Sequence, residues 1–314
     1  MRFDKHSANP VLGPDVGCCF DVAVLHREGR FQMWFSWRDC HSIGYTESTD
    51  GAHWSAPRVV IAPPRRPWYR RLAPACHEVT RPAVVFHSGL YHIWYSEHTD
   101  TVDLAYAVSR DGLAWEIRRR HVLRPDQPWE KQAVMCPCVL FDPAEGVFKM
   151  WYSGGEKHEP DAVGYATSLD GVHWAKHPDN PVLRADPAYP WEKDRVTALH
   201  VLQQAHGYLG FYIGFGQGYE AAAIGAASSS DGITRWQRCE SNPVVRPGPA
   251  GAWDDCNVYK PFVLAHEDRL WLWYNASRAS DRLEQIGLAT APATPSCWPP
   301  RRGRLDSCSA CRSR

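Results

Sequence analysis

The sequence lacks both an excess of charge of one sign and any long apolar run. Its 314 residues include 35 basic and 35 acidic side chains, so the formal net charge is zero. This balance argues against a nucleic-acid or membrane-surface partner. No apolar stretch approaches the roughly 18 residues that a membrane helix needs, and residues 1–6 lack the apolar segment of a secretory signal. These absences predict a cytoplasmic protein with no nucleic-acid and no membrane partner.

The cysteines do not form the pattern of a disulfide scaffold. There are 11 of them, an odd and scattered set. Cys308 and Cys311 have the spacing of zinc ligands, but no second pair lies close by. We therefore predict no metal site and no cofactor, and leave open a structural cation in a central channel. The basic, cysteine-containing tail at 293–314 is predicted to be disordered.

What the sequence does contain is a repeated aromatic phrase. It has 15 Trp, 13 Tyr and 10 Phe, with 25 Pro and 23 Gly to supply turns. Asp-Gly turns recur about every 60 residues, each followed by a Trp and preceded by strand-like runs such as Met150-Trp-Tyr-Ser and Val163-Gly-Tyr-Ala. The turns begin at Asp50, Asp111, Asp170 and Asp231. Four short strands per repeat and five repeats predict an all-β fold, a five-bladed β-propeller of four-stranded antiparallel blades spanning residues 1–292.

The N-terminal residues match the end of a repeat. Asn9-Pro-Val-Leu resembles Asn180-Pro-Val-Leu and Asn242-Pro-Val-Val, which follow the third and fourth repeats. The first dozen residues are therefore predicted to supply the outer strand that the last repeat lacks, so that the N-terminal strand closes the last blade. Acidic residues that follow a Trp at the start of a repeat are interpreted as structural, since the repeat explains them. These are Glu130, Glu192 and Asp254, together with Asp15, which matches them by register.

The five inner strands differ at one position of the repeat. They read Asp21, Arg81, Cys136, Ala198 and Lys260 at the same register, and Cys18, Glu78, Ala133, Arg195 and Asn257 three residues earlier. Repetition alone would place similar apolar residues there, so this unequal, charged set predicts a ligand site at the mouth of the channel. An ion-paired plug of Asp21, Arg81 and Lys260 is the structural alternative.

The second repeat resembles a known family. Its run Arg81-Pro-Ala-Val-Val-Phe-His-Ser-Gly-Leu-Tyr-His-Ile-Trp-Tyr is similar to the opening of a blade in glycoside hydrolase family 43. Residues 1–292 resemble the five-bladed propeller superfamily of families 43, 32, 68 and 130. The resemblance implies a base aspartate at Asp21. The other two family carboxylates are not matched, because their positions read Arg81 or Cys136, and Thr197-Ala198.

Asp21 and Glu78 are the inner-strand carboxylates, and glycoside hydrolysis needs an acid and a base or nucleophile across the sugar. We therefore expect these two residues to be catalytic in the hydrolysis of a small glycoside or oligosaccharide. The predicted substrate-binding residues are Arg81, Cys136, Arg195, His200, Asn257, Tyr259, Lys260, Glu156, Glu220, His41 and His98.

Two other functions are compatible with the same residues. An inverting glycoside phosphorylase, or another sugar-modifying enzyme, would use the Arg, Lys and His side chains to hold an anion, with phosphate as co-substrate in the phosphorylase. A non-catalytic glycan-binding propeller would use aromatic side chains as stacking platforms. The sequence does not predict the oligomeric state.

Overall fold

The computed structural model describes residues 1–64, 76–158, 160–216 and 222–293, and these residues form strands and turns. Helical structure in these ranges is confined to three short 3-10 helices, at Pro14–Val16, Arg38–Cys40 and Pro128–Glu130. None of the described residues belongs to a helix that is long and apolar enough to cross a membrane. The predicted all-β class is confirmed. Residues 294–314 of the predicted tail lie outside the described residues.

The strands follow one another in antiparallel units of four. The first unit contains β2 (Cys19–Arg27), β3 (Arg30–Trp37), β4 (Ser42–Ser48) and β5 (Arg58–Ile61). The second contains β6 (Glu78–His87), β7 (Leu90–His98), β8 (Val102–Ser109) and β9 (Glu116–Leu123). The third contains β10 (Ala133–Asp142), β11 (Val147–Gly155), β12 (Pro160–Ser168) and β13 (Ala175–Lys176).

The C-terminal part of the described chain continues the pattern. The fourth unit contains β14 (Arg195–Gln204), β15 (Gly207–Phe215), β16 (Ala223–Ser229) and β17 (Gln237–Arg238). The last unit contains β18 (Asn257–His266), β19 (Arg269–Ser277), β20 (Glu284–Pro292) and the N-terminal strand β1 (Asp4–Lys5). The predicted four-stranded antiparallel sheets are therefore present.

Two pairings join distant parts of the chain. Ala133 of β10 pairs in parallel with Val102 of β8, which links the second and third units into one eight-stranded sheet. Strand β1 pairs antiparallel with β20, with Asp4 opposite Thr290. The first residues therefore complete the sheet of the last three strands, which is the place that the sequence predicts for them.

The repeated phrase joins neighbouring units. The tryptophans in the second strands of four units are fully buried, and each donates its indole N–H to the carbonyl of an Asp-Gly turn in another unit. The pairs are Trp34 with Gly112 (2.9 Å), Trp94 with Gly171 (2.8 Å), Trp151 with Gly232 (2.7 Å) and Trp273 with Gly51 (3.0 Å). The four glycines have φ between 72° and 75°, a conformation that glycine adopts without a steric penalty. Because Trp273 and Gly51 belong to the last and first units, these two units are in contact.

Three of the four acidic residues interpreted as structural lie in the core, whereas Asp15 is exposed in the 3-10 helix Pro14–Val16. Glu130 accepts a hydrogen bond from the hydroxyl of Tyr152 at 2.7 Å, and Glu192 accepts one from Tyr212 at 2.6 Å. Asp254 lies 3.3 Å from the hydroxyl of Tyr274 in the same arrangement. The three carboxylates are at most 2% exposed. The repeat therefore explains them, as predicted.

Every inner strand is interrupted by a β-bulge. The bulge residues are Asp21, Arg81, Cys136, Ala198 and Lys260, with φ between 48° and 56°. This left-handed conformation is uncommon for residues other than glycine. Another unit supports it, because the backbone N–H of Arg81 donates to Ser36 Oγ and that of Ala198 donates to Ser153 Oγ, each at 2.8 Å. The five residues that the sequence places at one register are thus the five bulge residues.

Candidate active site

A cavity of about 470 Å³ opens where the inner strands begin. It is bounded by the N-terminal halves of the inner strands and by the loops between the second and third strands, which together are called the rim. Its charged and polar lining comprises Asp21, Arg38, Glu78, Arg81, His98, Cys136, His158, Thr197, Asn257, Tyr259, Lys260, Ser277, Arg282 and Glu284. The cavity is large enough to accept a small sugar, so the bulge residues do not form a solid plug.

Asp21 is held from two sides at the bulge of β2. It is 3% exposed. Asn275 Nδ2 donates to Asp21 Oδ1 at 2.8 Å, while the backbone N–H of Asp21 donates to Asn275 Oδ1 at 2.8 Å. Arg81 Nε lies 3.4 Å from Asp21 Oδ2. Both side-chain oxygens of Asp21 therefore face hydrogen-bond donors, which hold the side chain in place at the cavity wall.

Arg81 connects Asp21 to a neutral histidine. Its Nη1 donates to Thr80 Oγ1 at 3.0 Å and to His98 Nε2 at 2.9 Å. Burial, together with the positive charge of Arg81, lowers the pKa of His98 to about 2. His98 is therefore a neutral acceptor that orients the guanidinium and adds no charge to the cavity.

The other two lining carboxylates differ in their surroundings. Glu284, at the start of β20, receives Arg38 Nη2 at 2.7 Å and a short hydrogen bond from the hydroxyl of Tyr259. Burial and the charge of Glu284 hold the pKa of Tyr259 well above its ordinary value, so Tyr259 remains a donor. By contrast, Glu78 Oε1 is buried and has no hydrogen-bond partner. Asp21 and Glu284 are thus bound by hydrogen-bond donors, whereas the buried Oε1 of Glu78 has no donor.

Lys260 and Cys136 occupy the bulges of β18 and β10. Lys260 is 7% exposed and Cys136 is 6% exposed. Burial raises the pKa of the Cys136 thiol despite the nearby charges of Lys260 and Arg81, so the thiol is neutral. A neutral, buried thiol is a poor nucleophile.

A second cavity of about 490 Å³ lies along the C-terminal halves of the inner strands. Its walls are mainly aliphatic and aromatic, and Lys260 is the residue that it shares with the first cavity among the described lining residues. The five residues that follow the bulges by four positions all belong to its lining: Leu25, Val85, Leu140, Leu202 and Leu264. Polar chemistry is therefore concentrated in the first cavity.

Four predicted site residues do not line the first cavity. His200 lies two residues beyond a bulge and faces the second cavity, where its Nε2–H donates to the Val263 carbonyl at 2.8 Å. Burial lowers the pKa of His200 to about 3. Its other ring nitrogen faces Cys138, not Cys136, so it cannot serve as a base for the Cys136 thiol.

The other three residues lie near the rim but point elsewhere. Glu156 is exposed and lies 3.3 Å from Lys131. Arg195 approaches Asp161 at 3.9 Å, and His41 is exposed at the end of a 3-10 helix. Glu220 lies outside the described residues. The predicted residues that the structure does bring together are Asp21, Glu78, Arg81, His98, Cys136, Asn257, Tyr259 and Lys260.

The alignment of the five repeats did not identify Glu284 or its partner Arg38 as site residues. Glu284 lies two residues before the Ile-Gly phrase of the third strand, where the five repeats read His41, Val102, Asp161, Ala222 and Glu284. This set is as unequal as that of the bulges. Comparison of the repeats at the start of the third strand would therefore have identified Glu284.

The described residues contain no cluster of three or more His, Cys, Asp or Glu side chains arranged to hold a metal ion. His98 accepts from Arg81, and His158 lines the cavity without such a cluster around it.

The chain is similar to known proteins in sequence and in fold. No protein-family model matches the chain. An uncharacterized protein of Mycobacterium tuberculosis is 28% identical over 247 residues, which cover 70% of this chain and 76% of that protein. The A type blood N-acetyl-alpha-D-galactosamine deacetylase of Flavonifractor plautii is 21% identical over 276 residues, which cover 73% of this chain and 35% of the deacetylase.

Solved structures of glycoside hydrolases superpose over nearly the whole chain. A thermostable family-43 glycoside hydrolase gives a TM-score of 0.70 at 17% identity and covers 93% of this chain and 97% of its own. A structure from family 130, described as mannoside phosphorylases that include hydrolases of β-1,2 mannosidic linkages, gives 0.71 at 19% identity, covering 93% and 96%. The chain has the fold of these glycoside hydrolases. At such identities the likeness concerns the fold, so the reaction has to be inferred from the cavity.

Proposed function

We propose that this protein is a glycosidase-like hydrolase, in which a closed five-bladed propeller binds a small glycoside or oligosaccharide in the 470 Å³ cavity. The contacts of Trp273 with Gly51 and of Asn275 with Asp21 join the last unit to the first and support a closed ring. The fold of the glycoside hydrolases supports a carbohydrate substrate.

One observation carries the proposed reaction: two carboxyl groups of the same cavity have opposite surroundings. Asp21 faces Asn275 and Arg81, both donors, which suits a base or nucleophile. Glu78 has a buried oxygen with no partner, which suits a group that carries a proton to the glycosidic oxygen. In the hydrolysis, Glu78 gives its proton to the leaving glycosidic oxygen while the bond from that oxygen to the anomeric carbon breaks. Across the sugar ring, Asp21 either takes a proton from the water that bonds to the anomeric carbon or first bonds to that carbon as an ester, which water then hydrolyses.

The test is hydrolysis of a panel of aryl glycosides by the wild type, Asp21→Asn and Glu78→Gln. We expect each variant to lose about 10²–10⁴-fold in kcat/KM. Glu78→Gln should recover on a dinitrophenyl leaving group, which needs no proton, whereas Asp21→Asn should not. Asp142→Asn is the matched control, because Asp142 is a buried, ion-paired carboxylate outside the cavity lining.

Three outcomes would replace this proposal. Unchanged activity in Asp21→Asn would remove Asp21 from the mechanism. Cleavage that requires inorganic phosphate would indicate phosphorolysis, and saturable sugar binding without turnover across the panel would indicate a glycan-binding protein.

A further inference from the structure

The cavity is lined by a largely buried cation, Lys260, that forms no ion pair with any of the described residues. Asp21 is engaged by Arg81 and Asn275. Glu284 is engaged by Arg38 and Tyr259. Lys260 has neither a hydrogen bond nor an ion pair of its ammonium group with any of the described residues, although it is 7% exposed.

The position of Lys260 between the two cavities explains why its lack of an ion pair matters. It lies at the bulge of β18, between the polar first cavity and the mainly apolar second cavity. The titratable groups close to it, Cys136 and His200, are neutral, since burial raises the pKa of the thiol and lowers that of the imidazole. The carboxylates Asp21 and Glu284 of the first cavity are bound by other donors, so none of the described residues forms an ion pair with Lys260.

The Lys260 side chain is largely buried, but its ammonium nitrogen remains accessible from the cavity space. A charge held away from bulk water is favourable only where an opposite charge or hydrogen-bond acceptors replace the lost water. Elsewhere in this protein a lysine of similar burial is paired: Lys149, 6% exposed, donates to Asp142 Oδ2 at 2.7 Å. Unlike Lys149, Lys260 is thus available to an anionic partner that none of the described residues supplies.

We propose that the sugar bound in the first cavity carries its own anionic group, a carboxylate or a phosphate ester, and that Lys260 is the residue that binds it. This inference rests on the proposed function and specifies its substrate class as acidic sugars. Arg282 lines the same cavity and donates to Cys256 Sγ at 3.0 Å, which is a weak acceptor. It places a second cation near the mouth, where it would attract such a ligand.

The test measures binding by isothermal titration calorimetry, so it does not depend on turnover. Matched pairs differ in one group: methyl glucoside and methyl glucuronide, methyl galactoside and methyl galacturonide, glucose and glucose 6-phosphate. We expect an acidic member to bind at least about 10-fold more tightly than its neutral partner in the wild type. This preference should disappear in Lys260→Met and persist in Lys260→Arg.

Lys149→Met is the matched control. It removes a lysine of equal burial outside the first cavity lining, so it should leave the preference for acidic sugars unchanged. The two variants should also differ in thermal stability. Lys149→Met leaves Asp142 without its closest cation and should lower Tm, whereas Lys260→Met breaks no ion pair with the described residues and should not lower it.

The results separate this inference from the proposed function. A preference for acidic sugars without any turnover supports the role of Lys260 and contradicts the hydrolase. Equal binding of neutral and acidic partners, or no binding by any acidic member, overturns the inference. It is also overturned if inorganic phosphate binds in a Lys260-dependent manner while no acidic sugar does, since the anion would then be a co-substrate, or if Lys260→Met lowers Tm as Lys149→Met does.

Discussion

Asn275 supports both the backbone and the carboxylate of Asp21, and replacing it tests these two roles separately. This side chain is fully buried in β19 of the last unit and makes two hydrogen bonds to Asp21 of the first. Asn275→Ala would leave the Asp21 N–H and one carboxylate oxygen without partners. A buried unsatisfied group costs about 1–3 kcal/mol, and a charged one more. We therefore expect the free energy of unfolding to fall by about 3–5 kcal/mol.

Asn275→Ser divides this loss into its two parts. Serine occupies the equivalent position in the first and third units, where Ser36 and Ser153 accept the N–H of the next bulge. The serine variant should therefore keep the backbone bond of Asp21 and lose the bond to its carboxylate. It should be destabilised by about half as much as Asn275→Ala. Both variants should lose activity by up to about 10²-fold, because the carboxylate is no longer oriented.

The assays are urea unfolding followed by tryptophan fluorescence, and kcat/KM on the best substrate of the glycoside panel. Ser153→Ala is the control, because Ser153 supports the bulge at Ala198, whose side chain has no polar group. It should lose stability but retain the activity of the folded protein. Equal stabilities of Asn275→Ser and Asn275→Ala, or wild-type activity in either, would refute this account of Asp21.

Two further predictions concern the ring and the pH dependence of stability. Trp273→Phe and Trp151→Phe each remove an indole donor to a turn of another unit. In a closed ring, each variant should lower the free energy of unfolding by about 1–3 kcal/mol, measured by urea titration. A negligible loss for Trp273→Phe beside a clear loss for Trp151→Phe would argue for an open arrangement. Burial lowers the pKa of His200 from its ordinary 6.5 to about 3, so the unfolded chain binds a proton below pH 6.5 that the folded protein does not bind. The stability that the neutral imidazole contributes is therefore lost as the pH falls from 6.5 towards 3, by about 1.4 kcal/mol per pH unit. Urea titrations between about pH 4 and 6 should show that slope reduced by this amount in His200→Gln, and an unchanged slope would contradict a neutral buried His200.

The repeat allowed much of the fold and part of the site to be predicted from the sequence. Because the repeat length is nearly constant, residues that occupy the same position in each unit can be aligned without a structure. The unequal bulge residues, among them Asp21, Arg81 and Lys260, then become visible against an otherwise regular pattern. The place of the N-terminal strand followed from the same alignment.

Side-chain direction could not be predicted in this way. A bulge inserts one residue into a strand and changes the alternation of faces beyond it, so His200 faces the second cavity although it is close in sequence to the bulge. Residues of equal register also diverge, since Glu78 and Asn257 line the first cavity and Arg195 does not. Rim loops depend on partners that are distant in sequence, as Glu156 does on Lys131.

The way in which the bulges are supported has a consequence for protein engineering. A left-handed residue that is not glycine is strained by roughly 1–3 kcal/mol, and in three of the units a side chain of another unit holds the bulge N–H in place. The identity of the bulge residue itself is then free to vary, as aspartate, arginine, cysteine, alanine and lysine show. We therefore expect that the side chains at these five positions can be exchanged to change the substrate and the reaction while the sheets that carry them remain the same.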